Sequence, residues 1–385
     1  MRILQWGVYL VVFCLPLYLI RFKIFNIPTT ALELMIYGLF IIWLIKIIRS
    51  KNQELRIKII EKLIIPVVLI LIGVSIATIF SWDLRVSLGI WKAWFIDPIL
   101  FFIVVVSIIK NIEQIKKIFY SLIFSGLVVS IISLIYLIQG NLDIQGRLQG
   151  FYNSPNYLAM YLAPVLIINF WFLMVFKKDY SLRMVFLANN LFLLITLFFT
   201  KSFGAWFGIL VALGFGVIIY LNKTKNKKII WGIILGIILI ILIFIFLKFG
   251  SIQGKLSINS RIGIWQKAWE VFKMYPIMGI GPGTFQDYFP AYPRWGVPQP
   301  HNLYLAFLLQ TGSIGFIGFI WLLIWFFRSG FKILVIDCWL PITVLMSIMV
   351  YILVHGLVDT TYWKNDLSLM FWLIIGAMTA IKNPR

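Results

Sequence analysis

Acidic residues, histidine and cysteine are scarce in this chain of 385 residues. It contains 13 Asp and Glu, two His and two Cys. So few ligands, with no metal-spaced histidines, argue against a metal site of the Cys/His type, and we expect neither a metal nor a cofactor. Cys14 and Cys338 both lie in apolar segments, so we expect no disulfide. A nucleotide-binding glycine pattern and internal repeats are also lacking.

Charged residues make up only 12% of the chain, whereas 62% is hydrophobic, and the mean hydropathy is +0.99. A soluble domain of this length could not bury so much apolar surface. The composition therefore predicts an all-α polytopic membrane protein. The net charge of +21 could suggest nucleic-acid binding, but basic residues in short loops are the common topology signal of membrane proteins. We expect contacts with membrane lipids and no nucleic acid.

Apolar runs long enough to cross about 30 Å of hydrocarbon predict about twelve spans in a single integral membrane domain, 1–385. The first run is interpreted as a retained helix, because no small-residue cleavage site follows it. Only Thr200-Lys201-Ser202 separates the seventh and eighth runs, which together exceed any single span. The predicted spans are 4–20, 29–48, 63–80, 93–109, 117–138, 156–176, 184–200, 203–221, 229–248, 302–326, 336–354 and 367–381.

The basic residues are distributed unevenly between the two sides of these spans. The even-numbered connections and the two termini hold 21 of the 34 Lys and Arg, and the odd-numbered connections hold the other 13. The positive-inside rule then places both termini in the cytoplasm and the long loop 249–301 outside.

The long loop contains a segment, 259–273, with the pattern of an amphipathic helix. Asn259 or Ser260 is a suitable N-cap, and the helix should end before Pro276. One predicted apolar stripe contains Arg261, Trp265, Ala268, Trp269 and Phe272.

Arg261 is an unusual residue for that stripe, because a cation at a helix N-terminus opposes the helix dipole. An anion bound there would explain the arginine, since the guanidinium and the helix N-terminus would attract the same phosphate. The alternative is an interfacial arginine that contacts lipid headgroups.

Other polar residues fall in the same set of predicted outer loops. His301 lies where the long loop meets a span, after two prolines that stiffen the chain, and could accept a proton near neutral pH. The alternative interpretation is that His301 is a structural residue held by hydrogen bonds. Arg147 and Lys201 could bind phosphate, and Asp359 could orient a basic group. The alternative for each of the three is a purely structural role.

Three segments resemble the signatures of one family, in matching order and on one predicted side of the membrane. They are Arg147-x-x-Gly150 with Pro155-Asn156; Ser260-Arg261-x-x-x-Trp265 with Pro276 and Gly279-x-Gly281-x-Gly283-x-Phe285; and His301-Asn302-x-Tyr304-Leu305 with Gly312 and Gly315. On these residues the chain resembles the O-antigen ligase and polymerase superfamily of membrane glycosyltransferases.

The resemblance implies a fold related to the GT-C glycosyltransferases and a glycan donor on an undecaprenyl diphosphate carrier, used at the outer face of the inner membrane in cell-envelope polysaccharide or lipopolysaccharide biosynthesis. It implies a catalytic role for His301 and Arg261. Substrate binding would fall to the matched or neighbouring polar residues Arg147, Arg261, Lys201, Asn302, Tyr304, Asn156 and Asp359. The family often has Ser-Arg-Gly before its eighth helix, where this chain has Lys201-Ser202-Phe203-Gly204. Whether Lys201 replaces the missing arginine stays open.

The expected function is therefore an O-antigen ligase-like glycosyltransferase that transfers a glycan to a lipid, glycan or protein acceptor. One alternative is a polymerase of the O-antigen type, whose acceptor is a second carrier-linked glycan. A non-enzymatic alternative is a transporter or flippase of lipid-linked glycans, which would need polar residues in mid-membrane and paired broken helices.

Overall fold

The computed structural model describes residues 1–49, 63–175, 179–223, 236, 252–288, 298–334 and 339–382. These ranges form a helical bundle with one antiparallel hairpin, β1 (Arg21–Ile24) and β2 (Ile27–Thr30). The helices are α1 (Arg2–Phe13), α2 (Ala31–Arg49), α3 (Ile64–Ile79), α4 (Leu84–Trp91), α5 (Asp97–Ile108), α6 (Ile112–Ile138), α7 (Pro155–Val175), α8 (Tyr180–Thr200), α9 (Phe203–Lys223), α10 (Ile252–Met274), α11 (Leu303–Ile333), α12 (Trp339–His355) and α13 (Asn365–Lys382).

Seven helices in the described ranges are long and apolar enough to cross a membrane, when α4, the π-helical turn Lys92–Ile96 and α5 are counted as one. Four further apolar helices, α1, α3, α12 and α13, are shorter. The prediction of an all-α integral membrane protein is confirmed. The span predicted at 229–248 lies outside the described residues, so the count of twelve, the GT-C relationship and the single domain stay predictions.

The first predicted span ends earlier than expected, whereas the predicted break between the seventh and eighth spans is present. The run 4–20 was expected to form one helix, but α1 ends at Phe13 and a 3₁₀ helix, Leu15–Leu19, follows it. Pro16 explains the break, because it has no backbone N–H for the α-helical ladder. The split between α8 and α9 is confirmed, and the left-handed Lys201 (φ +49°) ends α8.

The amphipathic helix of the long loop begins earlier than expected. Helix α10 starts at Ile252, so the predicted N-cap at Asn259 or Ser260 is wrong, although its end at Met274 agrees with the expected stop before Pro276. Residues 252–258, which the predicted stripe leaves in the loop, belong to the helix. Its buried stripe is Ile264, Ala268 and Val271, with Trp265 and Phe272 partly buried, whereas Trp269 is largely exposed.

Helix α11 is interrupted at Gly312, whose φ of +64° and ψ of −179° lie outside helical space and favour glycine. The segment after α10 forms backbone hydrogen bonds at this interruption. The Ser313 amide donates to the Pro276 carbonyl (3.0 Å), and the Ile280 amide donates to the Leu309 carbonyl (2.8 Å). These bonds satisfy backbone groups freed by the interruption. They also fasten the end of α10 to the helix that begins beside His301.

Candidate functional site

Four helix ends meet at one end of the bundle. They are the first turn of α7, the last turn of α8, the first turn of α11 and the last turn of α12. Because these helices run alternately up and down, their connecting loops lie together, and polar side chains from distant parts of the sequence converge there. The resulting group of Arg147, Asn156, His301 and Asp359 is called the Asp359 cluster below.

Arg147 is held in the loop between α6 and α7 by local and distant bonds. Asp143 forms a turn by accepting from the Arg147 amide (2.8 Å), and the Leu148 amide donates to the Phe199 carbonyl (2.9 Å). The guanidinium then donates through Nε to the Thr200 carbonyl (2.9 Å). The loop is thereby pinned to the end of α8. The sequence does not predict this contact with the Thr200 carbonyl, because every residue type has a backbone carbonyl that can accept a hydrogen bond.

A chain of hydrogen bonds joins Arg147 to His301. Arg147 Nη2 donates to Asn156 Oδ1 (2.6 Å), and Asn156 Nδ2 donates to Asp359 Oδ2 (2.8 Å). The other oxygen of Asp359 accepts from the Thr360 amide (2.9 Å) and lies 3.2 Å from His301 Nδ1. The carboxylate is therefore the centre of the cluster, and it is almost fully buried.

The surroundings of Asp359 keep it ionised. Burial raises the pKa of this carboxyl, but the hydrogen bond from His301 and the electrostatic effect of the nearby basic groups His301, His355 and Arg261 outweigh burial and leave the pKa well below its usual range. An ionised carboxylate only accepts hydrogen bonds. His301 Nδ1 must then carry the proton toward Asp359, and in the neutral imidazole Nε2 is left as an acceptor.

His301 itself is held in an uncommon backbone conformation. Its φ is +47°, a left-handed value that costs energy for any residue with a Cβ. Such strain persists where the surrounding structure imposes it, and it is concentrated at functional sites. The imidazole is 37% exposed, so its outer edge can be reached from outside the bundle.

Two further cations lie around the Asp359 cluster. Lys201 has a left-handed backbone like His301, and its Nζ lies within 4 Å of the position where a side chain would begin at Gly146, beside Arg147. Arg261 on α10 acts electrostatically on both Arg147 and Asp359. Burial lowers the pKa of Arg147, and the neighbouring acids Asp143 and Asp359 oppose this change.

The surroundings of Arg261 change the interpretation of that residue. Because α10 begins nine positions earlier, Arg261 lies in the interior of the helix and not at its N-terminus. The expected combination of guanidinium and helix N-terminus at one phosphate is therefore wrong. Arg261 is still close enough to the cluster to act electrostatically on Arg147 and Asp359, and it continues the stripe of Ile264 and Ala268 by which α10 packs against α11.

Asn302 and Tyr304 serve the fold. Asn302 caps α11 by accepting from the Tyr304 and Leu305 amides, both at 3.0 Å, and donates to the Leu357 carbonyl. The Tyr304 hydroxyl donates to the Leu353 carbonyl (3.0 Å). These bonds fix the first turn of α11, and with it His301, against the end of α12. A substrate-binding role for either residue stays a prediction.

Comparison with protein families now adds to this geometry. The model of the O-antigen ligase family matches residues 187–320. The resemblance to the O-antigen ligase superfamily is confirmed. The match to the O-antigen ligase model includes Lys201, Arg261 and His301, whereas Arg147 and Asp359 lie outside it. Members of this family are glycosyltransferase-like ligases and polymerases. A comparison with curated proteins gave no match.

Metal binding has little support from the residues described. In these ranges no group of three or more His, Cys, Asp or Glu could hold an ion. The Asp359 cluster supplies one imidazole and one carboxylate, and both face each other. The expectation of a reaction without metal or cofactor stays a prediction.

Proposed function

We propose that the protein is a membrane glycosyltransferase that takes a glycan from an undecaprenyl diphosphate carrier and transfers it to a lipid, glycan or protein acceptor. The hydrogen-bonded pair of His301 and Asp359, surrounded by Arg147, Lys201 and Arg261, carries this proposal. It combines a group that can accept a proton with cations that can stabilise a leaving diphosphate. The first group can activate the acceptor hydroxyl, and the cations can assist the departure of the diphosphate from the sugar.

The proposed reaction is a single displacement at the sugar. An acceptor hydroxyl transfers its proton to His301 Nε2 while its oxygen forms a bond to the anomeric carbon. The bond between that carbon and the diphosphate oxygen breaks, and undecaprenyl diphosphate leaves with the electron pair. Asp359 holds the protonated Nδ1 edge and stabilises the imidazolium that forms. The cations offset the negative charge that develops on the diphosphate.

A transporter would need a different distribution of polar residues. The residues of the proposed site are concentrated at one end of the bundle, and all of them except Arg261 come from loops and helix ends. One helix in the described ranges, α11, is broken at a left-handed glycine, and its break is filled by the chain after α10. This arrangement supports chemistry at one membrane face over passage through the centre.

The proposal is tested by deleting the gene and measuring glycans and the carrier-linked donor together. A transferase predicts loss of a glycan from its acceptor and accumulation of donor on the outer leaflet. Complementation with the wild-type chain should reverse both changes, whereas a His301→Gln variant should reverse neither. Loss of donor from the outer leaflet after deletion would instead indicate a flippase.

The proposed sidedness, with the site outside the inner membrane and both termini in the cytoplasm, needs its own test. Gln286 is exposed in the 3₁₀ helix Phe285–Tyr288, and Lys117 is exposed near the start of α6. In a chain without Cys14 and Cys338, an impermeant thiol reagent should label Gln286→Cys in cells with a permeabilised outer barrier. It should label Lys117→Cys only after the inner membrane is lysed. The reverse pattern would overturn the topology.

A further inference from the structure

A second pair of basic residues lies at the same end of the bundle as the Asp359 cluster. Arg21 begins the β-hairpin, and Lys364 lies in the loop between α12 and α13. The base of the hairpin brings them together, because Arg21 pairs with Thr30, and Glu33 beside Thr30 accepts from Asn365, the residue after Lys364, at 3.4 Å. Lys364 Nζ is 4.2 Å from the centre of the Tyr157 ring. Tyr157 directly follows Asn156, so Lys364 lies beside the same first turn of α7 that contacts Asp359. The charge of Asp359 also acts on Tyr157.

These two cations are incompletely balanced by the protein. The ion pairs among the described residues join other partners and include neither Arg21 nor Lys364. The carboxylates beside this pair already have partners. Glu33 forms its ion pair with Lys92 (2.7 Å), and Asp366 accepts from the Leu367 amide (2.9 Å) and the Tyr152 hydroxyl (3.4 Å). Burial lowers the pKa of Lys364; Asp366 opposes this effect, and Arg21 adds to it. An anion between the two cations would remove their repulsion.

The hairpin beside this pair indicates that the anion belongs to a lipid. Arg21 lies at the base of β1, and the hairpin exposes large apolar side chains. Phe25 at its tip is 96% exposed. The other exposed apolar residues of the hairpin are Phe22, Ile24 and Ile27. Exposed apolar side chains next to a membrane bundle are stable in contact with the interfacial region of the bilayer. A headgroup at that level can reach Arg21 and Lys364.

We propose that Arg21 and Lys364 bind the phosphate headgroup of a lipid-linked glycan acceptor. The inference rests on the proposed transfer reaction and narrows its acceptor. Two cationic subsites, one at Arg147 and one at Lys364, contact neighbouring residues, Asn156 and Tyr157, of the turn that contacts Asp359. An enzyme that joins two carrier-linked glycans needs two such subsites, whereas transfer to a protein needs one. The arrangement therefore favours the polymerase-type reaction over transfer to a protein.

The test measures the stoichiometry of carrier binding, which is independent of transfer. The purified full-length protein in detergent is titrated with undecaprenyl diphosphate and examined by native mass spectrometry. We expect two equivalents per chain. Lys364→Gln should weaken one equivalent at least tenfold, the loss expected for one charged hydrogen bond, and Arg147→Ala should weaken the other. Lys364→Arg should keep two equivalents, because it keeps the charge over Tyr157.

The matched control is Lys273→Gln, which removes one exposed positive charge from α10 without touching either subsite, and it should still bind two equivalents. A single equivalent that depends on Arg147 but not on Lys364 would overturn the acceptor subsite and leave the transfer reaction standing. Binding of no carrier at all would count against both proposals. If phosphatidylglycerol at equal concentration displaces the Lys364-dependent equivalent, that subsite holds ordinary membrane lipid, and the acceptor assignment is wrong.

Discussion

Two polar groups at the same end of the bundle differ in how completely they are paired. In the first, Glu33 and Lys92 form an ion pair at 2.7 Å, Lys92 also donates to the Pro28 carbonyl, and Asn365 joins Glu33 to Trp94. Its members use their hydrogen-bonding capacity on one another. Such a group ties the β-hairpin, the π-helical turn and α13 together, and we assign it to stability.

The Asp359 cluster is paired on one side only. Arg147, Asn156 and Asp359 are joined in a chain, yet His301 at the end of the chain keeps its outer edge exposed and its backbone strained. More cations than carboxylates surround this edge. The comparison indicates that a closed polar group stabilises the fold, whereas an open one with excess positive charge is available for an anionic substrate.

The largest effect should follow from removing the imidazole. A positioned general base contributes about 10²–10⁴-fold in rate, so His301→Ala should lose that much transfer activity while it inserts and accumulates normally. His301→Gln keeps hydrogen bonding but cannot take a proton. It should be equally inactive and should still bind the carrier. Normal transfer by the glutamine variant would limit His301 to orienting the diphosphate or the loop.

A substitution in the group of Glu33 and Lys92 should change the stability of the protein and not the chemistry of the Asp359 cluster. Lys92→Ala leaves Glu33 buried without its cation, a change that costs about 3–5 kcal/mol in a fully buried pair. The lower end applies because Lys92 is 24% exposed. The variant should unfold at a lower temperature in detergent, and its Arg147-dependent binding of the carrier per folded molecule should stay near that of the wild type. Loss of that binding with an unchanged unfolding temperature would contradict the separate roles of the two groups.

The arginines should affect donor binding by an intermediate amount. Arg147→Ala and Arg261→Ala should each weaken binding of the carrier diphosphate by about 1.5–3 kcal/mol, the contribution of a charged hydrogen bond. Arg261→Lys should also be poorly tolerated, because lysine lacks the planar fork that holds two phosphate oxygens. Titration calorimetry with undecaprenyl diphosphate measures the loss, and Lys267→Gln on the exposed face of α10 is the control. Wild-type affinity in Arg261→Ala would remove that residue from the site.

The smallest effect concerns pH. The pKa of Asp359 is depressed in the folded protein, so its contribution to stability is fully present above the ordinary carboxyl pKa of about 3.9 and declines as the pH falls toward the folded value. The unfolding temperatures of the wild type and Asp359→Asn should therefore differ most near neutral pH and converge below about pH 4. A constant difference across this range would contradict the charge assigned to Asp359.

Much of the fold follows from composition and periodicity, because long apolar runs have few stable arrangements in a membrane. Helices occur at every predicted span in the described ranges, and the Lys201 turn was recognisable from three residues. The start of α10 was missed because the apolar stripe of Ile264 and Ala268, continued toward residue 252 in helical steps, meets the polar residues Ser260, Ser257 and Gln253. Pro16 could have indicated the end of α1, but the apolar run continued past it.

The candidate site was predictable as a set of residues and not as a network. Rare residue types in loops on one side pointed to His301, Arg147 and Asp359. That Asn156 joins the arginine to the carboxylate depends on the packing of α7 against α8 and α12, which no local pattern reports. The Arg21 and Lys364 pair was missed for the same reason, since 343 positions separate the two residues in the chain.

The central claim, that the open cluster breaks a bond between a sugar and a diphosphate, is tested most directly in proteoliposomes. The purified protein is supplied with a glycan on undecaprenyl diphosphate and an acceptor glycan on the same carrier, and released carrier and joined glycan are both measured. The account predicts one undecaprenyl diphosphate released for each glycan transferred by the wild type and neither product from His301→Gln. Donor that crosses the membrane with its glycosidic bond intact, or wild-type turnover by His301→Gln, would contradict it.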